Sequence, residues 1–328
     1  MRTSVARAVA IDKVRYAGRS NPLWEVMSWE ARRLAVSSYT WLVVVAVFGI
    51  FSLIMASRVG WSTWGFGDGT VNLQADIPYG SVMSIYYDLP FDLIFPLVLL
   101  VVFLVSDGVS RDWHRRTHEL VMATAVPTWA YVWGRYLVAT AISLFFAVEM
   151  LVAILLLITI EHMSIGGADY PAAQMGPLLA PWATMALPVT IFAGGLGFAL
   201  GTLLFRHSTY VKLAIALGWF LWLIALPGIV QGNPDVPEWL LRWEPTYVGL
   251  RTGLYDLYDS AFHNTVLPLE RSGHPISHGQ LLTIYHHLIY ELPDTWSWLP
   301  AHLMWAIGAV GAVGMAACLF KRYQNAVR

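Results

Sequence analysis

Six apolar runs of about 20 residues or more constrain this chain more than any other feature, because each is long enough to cross a ~30 Å hydrocarbon core as a helix. None of the runs alternates apolar and polar residues with period two, which favours helices over a transmembrane barrel. Hydrophobic residues make up 57% of the chain and charged residues only 12%, about half the charge of a soluble domain. The sequence therefore predicts an all-α polytopic membrane protein. The predicted spans are 39–57, 89–106, 130–160, 181–205, 211–230 and 298–320.

The basic residues predict the orientation of these spans, since cytoplasmic loops are enriched in Lys and Arg. With the N-terminus inside, 16 of the 20 Lys and Arg residues fall on the cytoplasmic side. The four that fall outside are Arg58, Arg242, Arg251 and Arg271. We therefore expect a multi-pass protein of the cytoplasmic membrane with both termini in the cytoplasm.

Two further helices are predicted outside the spans. Residues 1–38 form the cytoplasmic N-terminal part, followed by the six-span domain 39–328, and within 21–38 the apolar residues occupy one arc of a helical wheel. Asn21 is the expected N-cap and Pro22 the first helical residue, which predicts an amphipathic helix in the membrane plane. The extracytoplasmic segment 231–297 contains a second apolar pattern at helical spacing, HGQLLTIYHHLIYEL at 278–292. This helix would lie on the membrane, cap the spans from outside, or pack beneath a loop.

A concentration of charge lies between spans two and three. The stretch RDWHRRTHEL, residues 111–120, contains three arginines, two histidines and two carboxylates, and the orientation places it in the cytoplasm. Nothing from Arg111 to Ala123 forbids a helix. Such a segment is either a set of ordinary positive-inside anchors or a docking helix for a cytoplasmic partner. For a docking helix, Arg111, Arg115 and His118 or Glu119 recur at the spacing of one helical face.

The residues from this stretch onward resemble a motif of ABC-2-type transporter permeases, roughly GTLELLLATPVS…GK after the second span. Arg116 departs from the motif glycine, His118 from a leucine, and the proline stands at 127 instead of 125. The N-terminal NPLWEVMSWEARRLAVSSYTW is similar to the entry of the same family, and six spans match its layout. The matching residues are Thr117, Glu119, Leu120, Ala123, Thr124 and Val126, with Gly134 and Arg135 in place of the Gly-Lys pair.

The resemblance implies the permease subunit of an exporter, with a coupling helix at 111–123 seated in a separate ATP-binding subunit. Its contacts with the ATPase would come from Arg111, Arg115, His118, Glu119 and Leu120. The chain has no phosphate-binding GxxxxGK loop, so ATP and Mg²⁺ are expected on the partner and no enzymatic activity in this chain. A second permease copy or a related permease would complete the assembly. The aromatic-rich, weakly charged spans favour a hydrophobic or amphipathic substrate. The alternative is a non-transporting scaffold or assembly subunit that uses the same loop for docking.

Small residues at intervals of four mark faces where helices can approach closely. In span four these are Ala193, Gly197 and Gly201, and in span six Gly308, Ala312 and Ala316. They indicate either packing within the chain or a seam between two copies.

Ionisable residues inside predicted spans are candidates for function. Glu149 lies within span three and Asp92 near the outer end of span two, which suits either a translocation path or pairing with a neighbouring helix. Arg135 is expected to reach the inner interface or to pair with Asp107.

Seven of the ten histidines fall on the outer side, where we expect interfacial or surface positions. His287 and Glu291, four residues apart on the predicted outer helix, are weak candidates for metal ligands. No nucleic-acid-binding motif is present, and topology accounts for the basic residues.

Overall fold

The computed structural model describes residues 21–65, 86, 89–114, 126–165, 172–231, 237–261 and 294–320, together with 264, 268 and 271. Within these ranges the chain is almost entirely helical and contains no strand. Six of its helical stretches are long and apolar enough to cross a membrane. The prediction of an all-helical protein with six candidate spans is thus confirmed for the described residues, while the side of the membrane on which each end lies stays a prediction.

Helix α1, Pro22–Val36, precedes the first span. The side chain of Asn21 accepts a hydrogen bond from the Leu23 amide at 3.1 Å, and Pro22 occupies the first turn, where its missing N–H has no cost. The helix packs on the third span with Val26 and Glu30 buried. Its position in a membrane plane stays a prediction.

Helix α2, Ser38–Gly65, contains the first candidate span, Ser38–Ala56. Its buried residues Val47, Phe51 and Met55 recur every four positions and form a single stripe facing the core. Val43, Val44 and Ile54 pack beside this stripe and are partly buried, and most other described side chains of the span are exposed, so the first span lies at the edge of the bundle.

The second span is built from three helical pieces. A π-helical segment, Pro90–Ile94, leads into α3, Phe95–Val105, and after Ser106 the chain continues as α4, Asp107–His114. The hydroxyl of Ser106 donates to the Val102 carbonyl at 2.6 Å. The candidate span therefore extends to Asp112, beyond the predicted end at 106. Of the predicted helix 111–123, residues 111–114 belong to α4, and 115–123 lie outside the described residues.

The third and fourth spans form the centre of the bundle. Helix α5, Thr128–Ile165, is the longest at 38 residues. The fourth span consists of α6, Met175–Pro181, a π-helical segment, Trp182–Ala186, and α7, Leu187–Leu203. Helix α7 packs against the second, third, fifth and sixth spans. Most of its side chains are buried for that reason.

The connection between the fifth and sixth spans, on the predicted outer side, contains two short helices within its described residues. The fifth span is α8, Ser208–Gln231, and the sixth is α11, Leu299–Leu319, which follows a 3₁₀ turn at Thr295–Trp298. The two short helices between them are α9, Glu238–Trp243, and α10, Val248–Ala261. The indole of Trp305 donates to the Trp243 carbonyl at 2.6 Å. Trp305 lies six residues into α11, about 9 Å along its axis. The end of α9 therefore lies beside the second turn of the sixth span. The predicted outer helix 278–292 lies outside the described residues.

Candidate functional site

The predicted inner end of the bundle contains seven charged side chains where the segment 115–125 leaves the second span. We call them the inner cluster. Three of them, Asp107, Arg111 and Asp112, lie on α4, and each makes an ion pair with a different neighbouring element. The other four members are Glu30, Arg33, Arg135 and Lys212.

Arg111 pairs with α1. Its guanidinium lies 3.0 Å from Oε1 of Glu30, which also pairs with Arg33 one turn further along α1. Glu30 is only 5% exposed, although it falls outside the apolar arc of the predicted amphipathic helix. Two guanidinium groups offset the cost of burying this carboxylate. Burial lowers the pKa of Arg33, and the adjacent Glu30 opposes that shift.

Arg135 pairs with Asp112. Its guanidinium lies 2.6 Å from Oδ2 of Asp112 and donates to the Gly108 carbonyl, and the Tyr131 hydroxyl donates to the same carboxylate oxygen at 2.8 Å. The guanidinium also lies over the Tyr131 ring at 4.5 Å. Arg135 is 1% exposed. Its Nε has no hydrogen-bond partner in the described part of the chain. Both sequence expectations for Arg135 are wrong, because its contacts with Asp112, Gly108 and Tyr131 hold it inside the bundle and Asp107 has another partner.

That partner is Lys212 near the start of the fifth span. Its ammonium lies 2.5 Å from Oδ2 of Asp107 and 5.7 Å from the centre of the Phe103 ring. Ser110 donates to the other oxygen of the same carboxylate at 3.1 Å. The pair attaches the fifth span to the beginning of α4.

The inner cluster therefore connects α4 to three other elements by short ion pairs. Within the described residues, four cations meet three carboxylates, which leaves an excess of one positive charge. Separating a buried ion pair exposes each partner to an uncompensated low-dielectric environment. Only the Arg135–Asp112 pair is buried on both sides, at 1% and 9% side-chain exposure. A displacement of α4 is therefore linked most strongly to α5, and more weakly to α1 and α8 through the partly exposed pairs.

The small-residue stripe of span four lies against the second span of the same chain. A Cβ at Gly197 would meet the Ser106 hydroxyl oxygen at 3.0 Å, and one at Gly201 would meet the Ser106 carbonyl oxygen at 2.2 Å. Ala193 is buried one turn earlier. The glycines allow α7 to lie in backbone contact with the joint between α3 and α4, beside the inner cluster.

Glu149 is a buried carboxyl group outside the inner cluster, within the third span. It is 7% exposed, and its Oε2 has no hydrogen-bond partner in the described part of the chain. Asp92 lies half-buried in the first turn of the second span, where the positive end of the helix dipole favours a carboxylate. The two lie on different spans, and a role for either in translocation stays a prediction.

The remaining predicted site residues lie outside the described residues. They are Arg115, His118, Glu119 and Leu120 of the coupling segment, and His287 and Glu291 of the weak metal site. For Arg111, the side chain expected to face a partner instead contacts Glu30, and its part in coupling stays a prediction.

An outer polar contact was missed by the sequence reasoning. His302 was expected at an interface or surface, but it is 4% exposed in the sixth span, with Nδ1 3.1 Å from the Thr184 carbonyl oxygen. Pro188 has no N–H, so it cannot donate to the carbonyl four residues earlier, which is that of Thr184. The signal was Pro188 itself, since a proline inside a span predicts a carbonyl in need of another partner.

A buried carboxylate also organises the turn between α9 and α10. Glu244 accepts hydrogen bonds from the Thr246 and Gly249 amides at 2.7 and 2.9 Å and from the Thr246 hydroxyl. Burial raises its pKa, and these donors oppose the shift. Tyr247 in this turn adopts a positive φ of 70° and places its ring 5.6 Å from that of His302. The turn is thereby fixed to the sixth span.

No protein-family profile matches the sequence, and no curated protein matches it either.

Proposed function

We propose that this chain is the permease subunit of an ATP-driven ABC-type exporter. It would move a hydrophobic or amphipathic substrate across the cytoplasmic membrane, with ATP hydrolysed on a separate subunit. The inner cluster is the observation that carries the proposal. It joins α4, which directly precedes the undescribed part of the predicted coupling segment, to α1 and to the third and fifth spans through ion pairs of 2.5–3.0 Å.

The mechanism follows from these connections. Movement of the ATPase displaces segment 111–123 and, with it, α4. The Arg111–Glu30 pair carries the displacement to α1, the Asp112–Arg135 pair to α5, and the Asp107–Lys212 pair to α8. The first and fifth spans have largely exposed surfaces, so they can shift against lipid, or against a second permease, without disrupting the centre of the bundle.

Co-purification from the native membrane tests the partner. A tagged chain is expected to bring down a protein with a P-loop and vanadate-sensitive ATP hydrolysis. Recovery of a stable complex that contains no ATPase would overturn the transporter proposal and favour the scaffold function.

A second experiment tests the coupling segment in the isolated complex. Arg115→Glu combined with Glu119→Lys is expected to preserve membrane insertion and ATP hydrolysis while reducing transport per ATP. The matched control is Arg32→Glu on α1, an exposed position, which should leave the ratio unchanged. An unaltered ratio in the double variant would remove this helix from the proposed pathway.

A further inference from the structure

An apolar crevice of about 510 Å³ opens between the fourth, fifth and sixth spans and α9. Its volume lies within the range of ~300–1,000 Å³ typical of small-molecule sites. Gly218 and Trp219 come from the fifth span, and the walls are completed by Phe192, Trp239, Trp243 and Trp305.

The crevice extends from the middle of the fifth candidate span to α9 on the predicted outer side. Gly218 is ten residues into the 24-residue α8, about 15 Å along its axis and so near the middle of a ~30 Å core. Trp219 is buried at 7% exposure, whereas Trp222 and Trp305 remain 41% and 38% exposed. The crevice thus has a buried inner wall and a rim of tryptophans open to the side.

The crevice lining contains few side-chain groups that could hydrogen-bond to water. The Trp305 indole already donates to the Trp243 carbonyl, and the Glu244 carboxylate accepts from Thr246 and Gly249. The Trp219 Nε1 is buried with no acceptor in the part of the chain that the structure describes. Since an ordered water needs about two to four polar partners, water is a poor occupant of this space. An empty crevice would also forfeit dispersion contacts along its whole lining.

We propose that this crevice binds one fatty-acyl chain of a membrane phospholipid, which enters sideways between the spans. A flexible hydrocarbon chain can follow an irregular apolar space, and the surrounding medium supplies it. The exposed indoles at the rim have both apolar rings and N–H groups, a combination suited to the region where an acyl chain meets its polar ester. The proposal does not depend on an ATPase, because the site is formed within this single chain.

Filling the crevice tests the proposal. Gly218 lines the crevice and a Cβ there would meet no atom within 4 Å, so Gly218→Leu is the variant chosen to fill it. The control is Gly228→Leu on the same helix, where a Cβ also meets nothing within 4 Å and which does not line the crevice. Both proteins are purified in detergent and illuminated with a phosphatidylcholine that carries a diazirine in its acyl chain, and the labelled peptides are mapped by mass spectrometry.

Saturable labelling, assigned to single residues by fragmentation, is expected at the crevice residues Ile215, Trp222 and Leu240 in the wild type and in Gly228→Leu. In Gly218→Leu it should be about tenfold weaker, which corresponds to the loss of about two buried methylene contacts. Equal labelling in both variants, or labelling spread over the lipid-facing residues Leu213, Leu217 and Leu221, would mean ordinary boundary lipid and would overturn the proposal.

Competition in the wild type provides a second measurement that does not require the variant to fold. Excess unlabelled phosphatidylcholine should abolish labelling of the crevice residues, whereas a planar aromatic competitor should not. Displacement by the aromatic compound alone would identify a stacking site for rings and would also overturn the acyl-chain proposal.

Discussion

At the scale of single residues, the buried charge of Arg135 depends on several partners at once. Arg135 is a large cation at 1% exposure, yet its guanidinium has the Asp112 carboxylate, the Gly108 carbonyl and the Tyr131 ring within reach. Each contact alone is insufficient to offset the desolvation of a guanidinium group. The set makes Arg135 the most deeply buried member of the inner cluster.

Replacing Arg135 by methionine is expected to lower stability by about 3–5 kcal/mol, because the Asp112 carboxylate loses its guanidinium while it stays buried. Thermal unfolding in detergent, followed by tryptophan fluorescence, measures the change. Arg135→Met combined with Asp112→Leu should recover much of the loss, and Arg32→Met at an exposed position should have little effect. Equal melting temperatures for Arg135→Met and Arg32→Met would contradict this account.

Glu244 predicts a dependence of stability on pH. Burial raises its pKa in the folded protein, so the folded state binds the proton more tightly than the unfolded state. Its contribution is therefore greatest below the ordinary glutamate pKa and decreases as the pH rises through the raised value. The melting temperature of the wild type minus that of Glu244→Gln should fall over this window. A pH-independent difference would show that Glu244 keeps an ordinary pKa.

At the scale of helices, backbone proximity decides which glycines matter. Gly201 on α7 faces the Ser106 carbonyl, where a Cβ would come within 2.2 Å, whereas a Cβ at Gly308 on α11 meets nothing within 4 Å. Both residues belong to small-residue stripes, and only the three-dimensional packing distinguishes them.

Gly201→Ala is expected to destabilise the protein by about 1–3 kcal/mol, because α7 and the α3–α4 joint must separate to admit the methyl group. Gly308→Ala, the matched control, should be neutral or stabilising by up to ~1 kcal/mol, since alanine is the better helix former. Melting temperatures of the two purified variants test the contrast, and an equal loss in both would refute it.

The helices could be predicted because the length of an apolar run is a local property. The fifth and sixth spans, predicted at 211–230 and 298–320, are α8 at Ser208–Gln231 and α11 at Leu299–Leu319. The fourth begins at Met175 and not at 181, because the helix passes Pro181 by way of a π-helical segment. The inner cluster could not be predicted, since Glu30 and Arg111 are 81 residues apart and neither sequence neighbourhood indicates the other.

At the scale of the whole molecule, charge and aromatic residues concentrate at different levels. The inner cluster joins four elements at the predicted cytoplasmic end, while tryptophans of α8, α9 and α11 gather around the crevice. Which of these two levels faces the cytoplasm stays a prediction from the distribution of basic residues.

Cysteine labelling tests that orientation. In a Cys318→Ser background, which removes the only cysteine, Ser297→Cys and Arg32→Cys lie at exposed positions on opposite predicted sides. In intact cells a membrane-impermeant maleimide should label Ser297→Cys alone, and permeabilisation should make Arg32→Cys reactive as well. The reverse pattern would invert the topology.

The contact between His302 and the Thr184 carbonyl has a consequence for the evolution of this sequence. Pro188 cannot donate a backbone N–H to this carbonyl, and His302 lies against it. The two residues are distant in the sequence, but both affect the same oxygen. Loss of the histidine alone removes its contact with the Thr184 carbonyl, whereas prior replacement of the proline by an ordinary residue supplies a backbone N–H that can take the place of that contact. Among descendants of this chain, the order of the two substitutions therefore decides which are tolerated, and positions 188 and 302 should covary.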